Sequence, residues 1–364
     1  MDKIRIGFPI SITGKYSLQG NESLNGIKLW QSEVNSDSGI FVSRLNKKLP
    51  AQLVYFDDES SEEKCAEVTI KLINKENVDL LLGPYSSGLT LAIAPIAKRL
   101  NRIVWNYGGA TDEITERGYT NFINAITPCS FYFQGIIKLF AKRLNKKNKK
   151  IAIIFATNSG FSTTVMQGAK EFGLKNNFAV NKFGYKSGKT DFSDIVDEVL
   201  KGGPDLILGV GRMQDDINLA KQVIKSKDIP TGNVALVAAS IDYFKEVFGR
   251  DADGFLSTSQ WEKDIEIEPD FGPTPVEFYN NYLNSYNKEP NYLAAQAYNI
   301  GLIVESCIKK SRNLDENSLY KIARNLDIKT FYGRFKIEKN TGIQIGHKMK
   351  VTQWVQGGKV TLMT

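Results

Sequence analysis

Two short stretches of this 364-residue chain carry the residue types that hold a small anion. Gly83-Pro84-Tyr85-Ser86-Ser87-Gly88 sits between an apolar run and an amphipathic one, where a strand would end and a helix begin. Free backbone N–H groups and hydroxyls at a helix start suit a carboxylate or phosphate. A serine that only caps the helix satisfies the same pattern. Tyr107-Gly108-Gly109-Ala110-Thr111 repeats the device after the next apolar run, with glycines for close backbone approach and Thr111 as the cap. Two helix starts on one sheet edge would hold an anion better than one. Neither is followed by Gly-Lys-Ser/Thr, so neither is a P-loop.

A third stretch, Gly209-Val210-Gly211-Arg212, opens like a dinucleotide fingerprint, but Gln214 stands where the third glycine belongs and Asp215-Asp216 precede an amphipathic run. Dinucleotide binding is set aside. Arg212 is either a bidentate clamp for a carboxylate or a surface partner for Asp215 or Asp216. Chemistry that needs histidine is nearly excluded, because His347 is the one histidine. Cys65, Cys129 and Cys307 form no CxxC pair, which argues against a zinc site or redox dithiol and for burial as small apolar groups. No metal or other cofactor is expected. Among the acid pairs, Asp57-Asp58 lies at a strand end where a general base could stand. Glu62-Glu63 and Asp215-Asp216 fit helix starts.

The elements that must position these residues follow from apolar periodicity. At 42% hydrophobic and 24% charged residues the chain has ordinary globular composition, and its length predicts two domains. No apolar run is long enough to cross a bilayer. Strands are expected at Ile4-Ile10, Ala51-Asp57, Asp79-Leu82 and Arg102-Trp105, with helices at 22–35, 62–74 and 89–100 between them. Ser60 to Glu63 reads as a capping box. The alternation then restarts, with strands at 151–156, 178–185, 206–210 and 234–239 and helices at 161–175, 191–200 and 215–225. Strand-helix alternation at this spacing means parallel sheets with right-handed crossovers, an α/β fold in two units. Short junctions and a small C-terminal extension imply that the chain passes between them more than once. Ligands of such sheets bind beyond the carboxyl ends of the strands.

Net charge is +7, and one cluster is dense, Lys142 to Lys150. It reads as a solvated helix end whose cations suit the C-terminal dipole. No aromatic residue interleaves with it to stack bases, so nucleic acid is not expected as a partner.

In order and spacing the chain resembles the type I periplasmic solute-binding proteins of ABC transporters, the branched-chain amino-acid (Leu/Ile/Val) class. The resemblance rests on Ile4 to Gly14, Asn25-Gly26, Phe56-Asp57-Asp58, Leu82 to Ser87, Gly109-Ala110-Thr111, Thr115 to Tyr119, Phe133-Gln134-Gly135, Asp253-Gly254 and Tyr292 to Tyr298. It implies two Rossmann-like lobes joined by three crossovers near Pro128, Ser257 and Phe335, closing like a Venus flytrap. Residues 1–127 with 258–335 would form the N-terminal lobe, and 128–257 with 336–364 the C-terminal lobe. It also implies capture of an amino acid or small organic carboxylate without catalysis, as a monomer, in the periplasm, with delivery to an inner-membrane permease. The sequence opens without a signal peptide, and the resemblance implies that one has been removed. An α/β enzyme using Asp57 or Asp58 on a small anionic metabolite is the rival reading.

By the same resemblance Ser87 holds the ligand carboxylate, helped by Gly108, Ala110 and Thr111. Tyr85, Ser86 and Tyr107 line that wall, and Gln19 stands where the first loop reaches the ligand. On the second lobe Phe161, Arg212 and Ser240 complete the set. Family members often grip an α-ammonium with an acid where this chain has Ser240, and often have an aromatic where it has Arg212. Those departures shift the expected ligand towards organic acids, aromatic carboxylates or acidic amino acids.

Overall fold

The computed structural model describes residues 2–362. The chain first lays down β1 (Ile4–Ile10), α1 (Ser17–Ser36), a hairpin of β2 (Ile40–Val42) and β3 (Lys47–Leu49), β4 (Ala51–Asp57), α2 (Glu62–Asn74), β5 (Leu80–Leu82), α3 (Ser87–Arg99), β6 (Val104–Asn106), the single turn α4 (Glu113–Glu116) and β7 (Phe122–Asn124). It then builds α5 (Gln134–Arg143), β8 (Lys149–Ala156), α6 (Gly160–Lys175), β9 (Phe178–Tyr185), α7 (Ser193–Gly202), β10 (Leu206–Val210), α8 (Met213–Ser226), β11 (Val234–Leu236), α9 (Asp242–Phe248) and β12 (Leu256–Ser259). The helices α10 (Pro275–Tyr286), α11 (Tyr292–Ser311) and α12 (Glu316–Asn325) and a hairpin of β13 (Asp327–Thr330) and β14 (Gly333–Lys336) follow. The chain closes with β15 (Lys350–Val355) and β16 (Gly358–Leu362).

These elements fall into two compact units. One comprises the chain up to Pro128 and Lys263–Lys348, the other Cys129–Glu262 and the chain from Met349. Three crossings result, the second and third later than the positions near Ser257 and Phe335 read from sequence. Ser257 and Thr258 belong to β12, which pairs with β15 and β11, and the Ser257 hydroxyl donates to the Leu236 carbonyl at 2.6 Å. Phe335 lies in β14, paired with β13 inside the first unit.

In the first unit five parallel strands run in the order β4-β1-β5-β6-β7. Consecutive residues of β1, Gly7, Phe8, Pro9 and Ile10, are all buried, as in a sheet covered on both faces. On one side α1 and α11 pack together, which needs glycine where they touch. A Cβ on Gly26 would stand 2.1 Å from the Ala294 carbonyl oxygen, and one on Gly301 would stand 2.3 Å from the ring of Trp30, itself buried. Gly301→Val is therefore expected to cost about 1–3 kcal/mol or more through overpacking, read as a lower midpoint in urea unfolding with an unchanged slope. An unchanged midpoint would show that the two helices part freely.

The second unit's seven strands run β16-β15-β12-β11-β10-β8-β9, parallel from β12 to β9, with β15 and β16 antiparallel on one edge. Its core joins Ile154, Phe192, Leu236, Phe244 and Trp354. All three cysteines are buried. The cap of α2 is Ser61, which accepts the Lys64 N–H, rather than Ser60.

Candidate functional site

Strand order locates the crevice in each unit. Numbered within its own unit, each parallel sheet runs second, first, third, fourth, fifth strand, so the order reverses between β1 and β5 and between β8 and β10. Ligands of open α/β sheets bind at that reversal, beyond the strands' carboxyl ends. The loops there lead into α1 and α3 in the first unit, and into α6 and α8 in the second.

In the first unit this gathers most of the sequence candidates. Ser86 caps α3 with its hydroxyl on the Leu89 N–H and takes a φ of 80°, a conformation that costs a non-glycine residue about 1–3 kcal/mol. Such strain gathers at functional sites. The next residue, Ser87, opens the helix, and its Oγ is buried with no hydrogen-bond partner. Gln19 lies inside α1 rather than in a loop, because α1 starts at Ser17, and its Oε1 is likewise buried without a partner. Both residues are 8% exposed. Tyr85 pairs by an isolated parallel bridge with Gly108, and its ring meets Tyr16 edge-on at 6.0 Å. Burial, with Tyr292 beside it, holds the Tyr85 phenol well above its ordinary value. It stays neutral, an apolar wall with a polar tip.

The second expected helix start is corrected. After β6 the chain makes only the four-residue turn α4, too short to present a row of free N–H groups. Thr111 accepts the Glu113 N–H at 3.2 Å, and Asp112 takes the cap position. The loop is shaped instead by Asn106, which accepts the Gly109 N–H at 2.9 Å and donates to the Gly109 carbonyl at 2.7 Å and to Asn124 at 2.8 Å. Gly108 has no room for a side chain, since a Cβ would stand 2.6 Å from the Pro84 carbonyl oxygen. Ala110 and Thr111 are buried beside it. The Tyr107 ring is buried; burial, then the nearby Asp58 charge, pushes its phenol up.

Sequence reasoning missed the loop after β1 as an acid-stapled structure. Asp57 accepts the N–H groups of Ile12, Thr13 and Glu59 and the Thr13 hydroxyl at 2.7 Å. Burial opposes its charge, but those donors outweigh it and hold its carboxyl below the usual range. Asp58 is fully buried, accepts the Ser11 hydroxyl at 2.6 Å and the Ser60 N–H at 2.9 Å, and is pushed up by burial. Both carboxylates tie strand ends to the loop. Neither stands as an exposed base.

In the second unit Phe161 lies in the first turn of α6, its ring edge-on to Tyr132 at 5.4 Å. Arg212 is exposed at the cap position of α8, beyond the end of β10. Its guanidinium pairs with no carboxylate among the described residues. Asp215 is taken by the Ser187 hydroxyl at 2.6 Å and the N–H groups of Gly188 and Arg212, and Asp216 by the Ala238 N–H at 3.0 Å. The surface-partner reading of Arg212 therefore fails, and a cation stands against the dipole of its helix. Ser240 spends its hydroxyl on the Val237 carbonyl at 2.8 Å, and its own carbonyl accepts Lys359 Nζ at 2.8 Å. Lys359, which sequence reasoning passed over, also pairs with buried Glu262 at 3.0 Å. Among the described residues no three His, Cys, Asp or Glu side chains converge as metal ligands.

The family model for periplasmic binding proteins matches residues 3–359. The chain belongs to that family. Leu/Ile/Val-binding protein homolog 7 of Brucella abortus is 24% identical over 383 residues, which span 99% of this chain and 91% of the relative. The branched-chain amino acid transporter substrate-binding protein LivJ of Streptococcus pneumoniae, solved with isoleucine, superposes with a TM-score of 0.84 at 19% identity, covering 99% of both chains. An ABC transporter solute-binding protein of R. palustris, solved with benzoate, gives 0.81 at 17% identity, over 99% of this chain and 95% of that one. This periplasmic binding protein has the type I α/β fold of those structures and is a binding protein, not an enzyme. The rival enzyme reading built on Asp57 and Asp58 is overturned.

Proposed function

We propose that the chain is the solute receptor of an ABC importer. It works outside the cytoplasmic membrane as a monomer and takes a branched-chain amino acid or an aromatic carboxylate. The carboxylate lies at the start of α3, on the Ser87 hydroxyl, with Gln19 and the backbone of Gly108 to Thr111 around it. Tyr16 and Tyr85 wall the apolar body. Arg212 and Phe161 of the second unit then engage the ligand as a hinge closes, through contacts better made in the closed state. Release to a membrane permease completes the cycle.

The observation that carries this reading is the pair of buried, partnerless polar atoms, Ser87 Oγ and Gln19 Oε1, on elements flanking the order reversal of one sheet. Native proteins rarely leave such atoms unmet, and a bound ligand meets them.

Thermal unfolding with leucine, isoleucine or benzoate present tests it. A ligand at a hundredfold excess over its Kd stabilises the native state by about 2.7 kcal/mol, which raises the melting temperature by several degrees. Arg212→Ala is expected to cut the affinity for the responding ligand about tenfold or more without moving the ligand-free melting temperature, since an exposed side chain without an ion pair adds little stability. No shift with any of the three at millimolar concentration would overturn this ligand class.

A further inference from the structure

The whole net charge of the protein is matched by one short segment. Residues 138–150 hold seven Lys and Arg and no acid, which leaves 40 cations against 40 carboxylates in the rest of the chain. The structure places this segment at the end of α5 and the start of β8, on the amino-terminal edge of the second unit's sheet.

That edge gathers more cations from other elements. Lys149 is in register with Phe178, so Lys175 at the end of α6 is a neighbour of the same edge. The Asp205 N–H donates to the Lys150 carbonyl at 2.9 Å and Lys150 Nζ to the Gly202 carbonyl at 2.9 Å, which brings Lys201 there. Asp205, which sits among them, is already paired with Lys146. Lys138, Lys142, Arg143 and Lys147 are exposed and make no ion pair among the described residues. The eight residues of β8 put this edge about 23 Å from the candidate ligand rim of the same unit.

We infer that this basic edge is a docking surface for an anionic lipid bilayer. The chemistry favours lipid over nucleic acid. Six of the seven cations are lysines, point charges on flexible stems suited to a diffuse field rather than to bidentate phosphate recognition. Phe140 within the segment and Phe178 in register with Lys149 are buried and offer no face for stacking bases. The cations stand on α5, on the loop after it, at the start of β8 and at the ends of α6 and α7, along one sheet edge, a spread suited to a flat charged plane felt within a Debye length, about 8 Å at physiological salt. Clusters of this size bind anionic headgroups additively. Adsorption here holds the protein at the membrane while the ligand rim of the unit points into solution.

Co-sedimentation of the whole protein with phosphatidylcholine vesicles, with and without phosphatidylglycerol, tests the inference. Binding is expected only with phosphatidylglycerol, falling at least tenfold as salt rises from low to above physiological. It should fall at least tenfold again in the triple variant Lys142→Glu, Arg143→Glu, Lys147→Glu. The neutral variant with glutamine at the same three positions should lie between, and both should keep the wild-type melting temperature. Equal binding to both vesicle types, wild-type binding by the glutamate variant, or displacement from the vesicles by equimolar duplex DNA would each overturn it.

Discussion

Replacing Ser87 by alanine is expected to weaken ligand binding ten- to hundredfold and to leave the ligand-free protein as stable as before, or slightly more stable. The hydroxyl is buried and unpartnered in the structure. A buried polar group without a hydrogen bond costs the native state on the order of 1–3 kcal/mol, so its removal relieves strain that the unliganded protein carries. Once a carboxylate arrives, the same hydroxyl makes a charge-assisted hydrogen bond, worth about 1.5–3 kcal/mol, or one to two decades in Kd. Calorimetric titration with whichever of leucine, isoleucine or benzoate stabilises the wild type reads the first effect, and a thermal scan without ligand reads the second. Ser86→Ala supplies the contrast. It loses the cap on the Leu89 N–H, so it should lower the melting temperature by an amount that matches about 1 kcal/mol, with the smaller effect on affinity. A Ser87→Ala protein that melts several degrees lower and binds as tightly as the wild type would show that the two serines had been assigned each other's roles.

The difference between those serines was half legible in the sequence. Gly-Pro-Tyr-Ser-Ser-Gly between an apolar run and a helix marks an anion-suited turn by residue type alone, and β10 lies where the apolar run put it, because a buried parallel strand reads as unbroken apolar sequence. What residue type does not carry is side-chain direction. Ser240 was expected to face a ligand, yet it spends its hydroxyl on its own turn, and Tyr107, expected on the ligand wall, is a buried ring. Nor does it carry what fills a helix start without a capping side chain. Tyr16 precedes α1 and makes no side-chain cap, so the first turn, Gln19 included, reads as loop. The crossing that the resemblance put near Ser257 falls inside a strand instead. Ser257, Thr258 and Ser259 are all buried in β12, where the Ser257 hydroxyl finds a backbone carbonyl on the neighbouring strand. Three-residue strands such as β2 and β3 are too short for any periodicity to show.

The acids show the same gap between composition and place, and Asp216 shows it with the largest energetic consequence. Its sequence position suggests an ordinary acid favoured by a helix dipole. In the structure it is 1% exposed; Oδ2 accepts the Ala238 N–H at 3.0 Å, and Oδ1 is buried without a donor. Burial, only partly offset by the Ala238 and Gly211 N–H groups and reinforced by the neighbouring Asp215 charge, raises its carboxyl from 3.8 to about 7. In the unfolded chain it ionises near its ordinary value. Between about pH 4 and 7 the native protein therefore keeps a proton that the unfolded chain has lost, so this residue's contribution to stability falls as pH rises through that window and is flat above it. The full loss is about 4 kcal/mol at 1.36 kcal/mol per unit. Surface carboxylates held below their usual range, such as Asp57, push the other way, so the total curve is not diagnostic. The difference between wild type and Asp216→Asn is. The asparagine keeps an acceptor for the Ala238 N–H and cannot ionise, so urea unfolding at pH 5 and pH 8 should show the variant gaining about 2.7 kcal/mol relative to wild type across that interval, the part of the loss that lies above pH 5. Because Asp216 ties α8 to the turn that carries Ser240, the neutral variant should also hold the Arg212 side of the rim in place at alkaline pH. Parallel stability curves for the two proteins would mean that Asp216 is ionised throughout, with water or a cation at Oδ1.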